Sequence, residues 1–155
     1  MISKAPLVWV FLADYQKWAD YFISSGAVEL GLKNGIPYRP PLTGDLFISL
    51  CDALVAAQTA VVAAESLGIG SCYIGDILEN YESVSEILNL PKYTFPITLL
   101  CFGYPKKKPI PGKILRCSAD DTFHTNTYHQ KNAEELAAMY KEMDRSVQKM
   151  LKNWG

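Results

Sequence analysis

The sequence predicts a chain of mixed helix and strand, α+β or α/β in class, stacked as a three-layer sandwich. Three observations lead there. Leu7–Asp14 (LVWVFLAD) and the run from Ile97 to Pro105 (ITLLCFGYP) are continuous apolar stretches of strand length, the pattern of strands covered by helices on both faces. Around and between them, apolar residues recur at intervals of three and four, as amphipathic helices require. The stretch from Asp45 to Asp76 opens with a helical run that is apolar on nearly every face, interrupted only by Asp52, Gln58 and Glu65. Such a helix has to be covered by a core, an interface or a bilayer.

Composition bounds the rest. At 155 residues, 49% apolar and 20% charged, the chain has one domain's worth of material, residues 1–155, and a slight apolar surplus that suggests surface covered by a partner chain. A net charge of −1 gives no electrostatic case for nucleic acid or an anionic membrane. Cys51, Cys72, Cys101 and Cys117 form no C-x-x-C and no metal-type spacing. With no secretory leader, they are expected to be reduced thiols of a cytoplasmic protein. Leu46–Ala64 is long enough to span a bilayer. Asp52, Gln58, six alanines and the lack of a basic flank argue instead for burial between subunits.

In chain order, Leu7–Asp14 is the first strand, and YQKWADYFISSG follows with Tyr15, Trp18, Ala19 and Phe22 at helical spacing and Gly26 as the stop. Residues 26–44, rich in Gly and Pro, form a connection with a short helical piece around Val28–Leu32. The central helix has Asp45 as N-cap or first-turn anion and Gly68 as a left-handed terminator. A glycine-bracketed strand, Ser71–Ile74, comes next, where a backbone can approach something flat or phosphorylated. Asp76–Leu88 reads as a second amphipathic helix closed by Leu90-Pro91, with Asp76 as its N-cap. The second apolar strand starts after Phe95-Pro96. Residues 105–132 form a long arm, a length uncommon unless it binds something or crosses to another chain. Residues 133–154 form a C-terminal helix with a stripe through Leu136, Tyr140, Val147 and Leu151. No G-x-G-x-x-G opens a helix after the first strand, so the dinucleotide-binding pattern is absent.

Other residues have plainer expectations. Cys72 reads as a small core residue, Asp52 and Gln58 as groups paired within the chain or with a partner, and Trp9, Trp18 and Trp154 as packing. His124 and His129 stand five apart without a carboxylate or thiol at ligand spacing, so no metal site is expected.

Six segments together carry a family resemblance: FLADYQKW, AAESLGIGSCYIGDI, LNLP, ITLLCFGYP, KILRC and FHTNTYH. In this order they resemble the FMN-dependent nitroreductase family, nearest its branch of oxygen-insensitive NADPH nitroreductases and flavin reductases. The resemblance implies an α+β, three-layer α/β/α sandwich, of which this chain would be the C-terminal two thirds, and a dimer. The family's arginine-rich segment and its serine- and glutamine-bearing segment would fall before Met1. It also implies FMN as cofactor and NAD(P)H as co-substrate, with hydride passing through flavin N5 to nitroaromatics, quinones or flavins. Backbone amides at Tyr73, Ile74, Gly75 and Asp76 would face the ring, where N–H groups stabilise the negative charge of the reduced flavin. Arg116, helped by Lys113, would bind the phosphate. No side-chain acid or base is implied. The homodimer would form through the 45–66 helix and the arm. The alternative is a truncated, catalytically weak or silent dimer, or a flavin- or partner-binding half-module.

Overall fold

The computed structural model describes residues 2–106 and 115–152. The chain divides into two compact units, residues 1–108 and 109–155, each described by itself.

The first unit is built on a three-stranded antiparallel sheet. Strand β1 is Leu7–Asp14, β2 is Gly70–Ile74 and β3 is Thr94–Gly103, in the order β1-β3-β2. The last strand in sequence is therefore the central one, and it is the most buried: only Phe95, Leu99 and Gly103 are partly open. Its apolar run matches the expected strand. Its start does not, because the strand begins at Thr94 and runs through Pro96. A proline removes a ladder hydrogen bond and is tolerated inside a sheet chiefly at bulges. The register shifts at this point, with Phe11 opposite Thr98 and Leu12 opposite Pro96, so that Ile97 is the extra residue of a bulge. The shift lets Ile97 join Ala13 and Ala53 in one cluster while Leu100 and Phe102 join Ala57 and Ala64 in another.

The expectation that β1 is covered on both sides holds only in part: Val8 and residues 10–12 are half-buried and Ala13 is buried, but the start of the strand is open. β1 is an edge strand, and Leu7 and Trp9 stay 44% and 47% exposed. Trp9 meets Phe102 edge to face at 5.2 Å between ring centres, and Trp18, itself half exposed, stands edge-on to Tyr21. Trp154 lies outside the described residues.

Two helices follow β1: α1 (Gln16–Ser24) and α2 (Ala27–Lys33), separated by Gly26 at φ 79°. The long helix α3 spans Thr43–Ser66. Asp45 is not its N-cap, which is Leu42. From the first turn its carboxylate accepts the Leu42 N–H at 2.8 Å, half of a capping box. At the other end Gly68, at φ 73°, donates to Glu65 and Ile69 donates to Ala64, both at 2.9 Å. This is a Schellman closure, which needs a left-handed residue at the Gly68 position.

α3 packs on the sheet through small side chains. Ser49, Ala53, Ala57 and Ala64 are buried, and Ala57 and Leu100 are wholly inaccessible. The large apolar residues point the other way: Phe47, Ile48, Val55 and Val62 are each at least 60% exposed. The expectation of an all-round buried helix therefore holds, in the single chain, only for the small-residue stripe. By length and hydropathy α3 meets the criterion for a membrane-crossing helix, a test that the core helices of many water-soluble folds also pass.

The expected helix Asp76–Leu88 is two helices, α4 (Asp76–Glu79) and α5 (Tyr81–Ile87). Asn80 breaks them, its backbone at φ −123° and its amide donating to the Asp76 carbonyl at 3.0 Å. Asparagine competes for backbone groups in this way and so interrupts helices. Of the apolar residues in α4 and α5 only Ile77 is buried, and Ile87 is 81% exposed.

In the second unit, the arm contains a short helix α6 (Ala119–Thr122) capped by Ser118. α7 spans Ala133–Lys152. Asn132 accepts from the N–H groups of Glu134 and Glu135, and Glu135 reaches back to the Asn132 N–H at 2.8 Å, a reciprocal cap. The Asn132 N–H, then His129, hold the Glu135 carboxyl below the usual range. The His124 ring accepts from the His129 N–H at 3.3 Å and leans on Tyr128. Among the described residues no cluster of three metal-ligating groups exists.

Candidate functional site

The glycine-flanked strand β2 ends at a turn that brings most of the sequence-derived candidates together. Side chains alternate along it. Tyr73 faces α3, where its hydroxyl donates to Oε1 of Gln58 at 3.2 Å. Tyr73 remains 42% exposed, Ile74 is half-buried, and Gly75 and Asp76 are exposed.

At Gly75 the chain turns into α4 with φ −84° and ψ −22°, a conformation any residue can adopt. Nor do neighbours crowd a side chain out: a Cβ at Gly75 would meet nothing within 4 Å. The corner is open space beside bare backbone. Gly75, not Asp76, is the N-cap of α4, and Asp76 makes no side-chain cap. Among the described residues, the N–H groups of Gly75 and Asp76 meet no acceptor. Two adjacent amide donors at an accessible corner suit an acceptor-rich edge of a planar ring or an anionic oxygen.

The other candidates lie in the second unit. Arg116 is exposed, in an irregular stretch before α6, and forms no ion pair among the described residues. Lys113 lies outside the described residues.

Two features have no signal in the sequence. Arg39 and Asp45 form a two-pronged ion pair, with Nη1–Oδ2 at 2.5 Å and Nη2–Oδ1 at 3.0 Å. The Arg39 guanidinium first, then the Leu42 N–H, lowers the Asp45 carboxyl to about 2. The same contact raises Arg39. Beside it, Tyr15, Phe22, Val28, Ile36 and Tyr38 line a cavity of about 330 Å³. Since Arg39 is engaged by Asp45, this cavity offers apolar walls more than charge. No sequence motif announces it, because α1, α2 and the prolyl connection meet only in the fold.

Cys72 is the second. It is exposed on the outer strand β2, not a core residue as expected, whereas Cys101 on β3 is buried. A short apolar strand reads as central from its composition alone, and the strand order puts this one at the edge. Asp52 is exposed and Gln58 is held by Tyr73.

Comparison with known proteins bears on the family and the fold. Residues 41–104 match the model of the nitroreductase family. The chain is 36% identical over 141 residues to the oxygen-insensitive NADPH nitroreductase of Salmonella typhimurium, covering 91% of this chain and 52% of the relative. It is 30% identical over 146 residues to an FMN reductase [NAD(P)H] of Bacillus subtilis, covering 94% of this chain and 54% of the relative. Among solved structures, the NfrA1 nitroreductase of B. subtilis superposes with a TM-score of 0.74 at 27% identity, covering 97% of this chain and 57% of that one. The NADPH:FMN oxidoreductase of Vibrio harveyi complexed with NAD+ gives 0.70 at 26% identity, covering 97% and 61%. The chain spans about half the length of the curated relatives it matches.

Proposed function

Because this chain belongs to the nitroreductase family, we propose that it works as an FMN-dependent oxidoreductase, taking electrons from NAD(P)H and delivering them to nitroaromatics, quinones or flavins. The observation that carries this reading is the open corner at Tyr73–Asp76, with two amide donors that meet no acceptor among the described residues.

The corner fits the edge of a flavin ring. Gly75 leaves room for a flat molecule to approach the backbone, and the Gly75 and Asp76 N–H groups are the donors that would meet its polar edge. FMN, when bound, carries the electrons between the nicotinamide and the acceptor. The chain's own contribution is placement. The Gln58 bond ties the Tyr73 ring to α3, limiting how far the end of β2 can drift. Fixed donors need little reorganisation as negative charge builds, which is where backbone dipoles help most. Arg116 and Lys113 are assigned to the phosphate, since a guanidinium donates two parallel charge-assisted bonds to it.

A second copy of the chain is the natural cover for the bare face of α3. Phe47, Ile48, Leu54, Val55 and Val62 give one helix a broad exposed apolar surface, of the kind that marks an interface. The arm at 105–132 is assigned to the same assembly.

A titration of the purified protein with FMN tests the function. Bound flavin with quenched fluorescence and NAD(P)H-driven bleaching of its visible bands is the expected result. A protein that binds no FMN at saturating concentration, or binds it without reduction, contradicts the reading and favours the silent half-module.

A further inference from the structure

We propose that Cys72 and Cys101 are a peroxide-responsive thiol pair that closes into a cross-strand disulfide. The two residues are direct partners in the β2–β3 register. Their 29-residue separation in sequence hides this; the strand order reveals it. Directly opposed residues of an antiparallel pair have Cα atoms about 4.5 or 5.5 Å apart, according to the class of pair, and side chains on the same face. Both values fall within the range of about 4.4–6.8 Å over which a disulfide can form.

Exposure sets the order of events. Cys72 lies on an outer strand and is open to solvent, while Cys101 is 5% exposed on the central strand. Hydrogen peroxide therefore meets Cys72 first. The Cys72 thiolate attacks one peroxide oxygen and breaks the O–O bond, giving a sulfenic acid and, with one proton, water. The Cys101 thiol then attacks the Cys72 sulfur, forming the S–S bond and releasing the sulfenic oxygen as a second water. The sum is one peroxide and two thiols giving one disulfide and two waters. Two electrons from a dithiol reductant reverse it.

The consequence is mechanical. The bond would tie the outer strand β2 to the central strand and close the loop that contains α4 and α5, constraining the unfolded chain. It also replaces the weak thiol contact from Cys72 to the Tyr73 carbonyl at 3.6 Å.

The test is peroxide treatment of the reduced protein, followed by denaturing alkylation and peptide mapping by mass spectrometry. The expected product is a Cys72–Cys101 linked peptide pair, two hydrogens lighter than the free thiols, whose formation raises the unfolding midpoint and is reversed by dithiothreitol. In Cys72→Ser, an exposed and conservative change, Cys101 is expected to remain fully alkylatable at the same dose. A Cys72 that stays a thiol, proceeds to sulfinic acid, or bridges to Cys51 or Cys117 overturns the proposal. So does oxidation of Cys101 in Cys72→Ser at the wild-type rate.

Discussion

The hydroxyl of Tyr73 on β2 donates a 3.2 Å hydrogen bond to the side-chain oxygen of Gln58 on α3. One of the few polar residues on a largely apolar helix thus braces the end of the strand that turns into the candidate site. Tyr73→Phe removes the donor and leaves the ring. Both partners are exposed, so the expected loss of stability is below about 1 kcal/mol. The expected loss of FMN affinity is of similar size, about threefold, equivalent to about 0.65 kcal/mol. Paired thermal melts and flavin titrations check this. Equal affinity in wild type and variant would show that the brace has no bearing on the site.

Gly75→Val separates folding from binding. The backbone at Gly75 is ordinary and a Cβ there meets no neighbour, so stability is expected to stay within about 0.5 kcal/mol of wild type. The same side chain fills the space assigned to the flavin edge, and a loss of at least about tenfold in FMN affinity is expected, equivalent to about 1.4 kcal/mol. Calorimetric unfolding and fluorescence quenching read the two effects independently.

The Arg39–Asp45 pair predicts a specific acid dependence. Asp45 has its folded value lowered from 3.8 to about 2, so the folded state favours the ionised form. The resulting stability is present above pH 4 and is lost as pH falls through about 2. Asp45→Asn removes this contribution, and its unfolding midpoint is expected to depend less steeply on pH between 4 and 2 than that of wild type. Urea melts across that window measure it. A parallel pair of curves would place the acid sensitivity elsewhere, for instance at Glu135, whose carboxyl is lowered in the same direction by Asn132 and His129.

The contact between α3 and the sheet depends on small side chains. Ala57→Leu adds volume where Ala57 and Leu100 have no free surface, and overpacking of this kind costs about 1–3 kcal/mol. Leu100→Ala is expected to cost about 2–5 kcal/mol through the cavity it leaves. Denaturant midpoints give both values.

On the opposite side of the same helix, Val55→Glu is expected to leave the fold of the single chain intact, because Val55 is 67% exposed. It should weaken self-association by placing a charge in the apolar face. Sedimentation at several concentrations distinguishes the outcomes. An unchanged association constant would remove α3 from the interface.

Periodicity alone makes the long helix, its Gly68 terminator and the two apolar strands legible, since each rests on local rules of burial and backbone conformation. The open turn after β2 is legible from its glycines, while its assignment to a flavin comes from the family resemblance. Other features require the strand order. β3 is central although last in sequence, which leaves Leu7 and Trp9 of β1 and Cys72 of β2 far more open than their apolar neighbourhoods suggest. Asn80 splits a helix whose apolar spacing runs on past it, because a side chain that competes for backbone groups acts locally and leaves hydrophobic spacing unchanged. The Arg39–Asp45 pair and the Cys72–Cys101 register join residues whose separation matches no motif.

The placement of the flavin edge is tested most directly by recording two-dimensional amide spectra of ¹⁵N-labelled protein during an FMN titration. The Gly75 and Asp76 amide signals are expected to move first and furthest, saturating together with the change in flavin absorbance. Flavin binding that saturates while both signals stay fixed would contradict that placement.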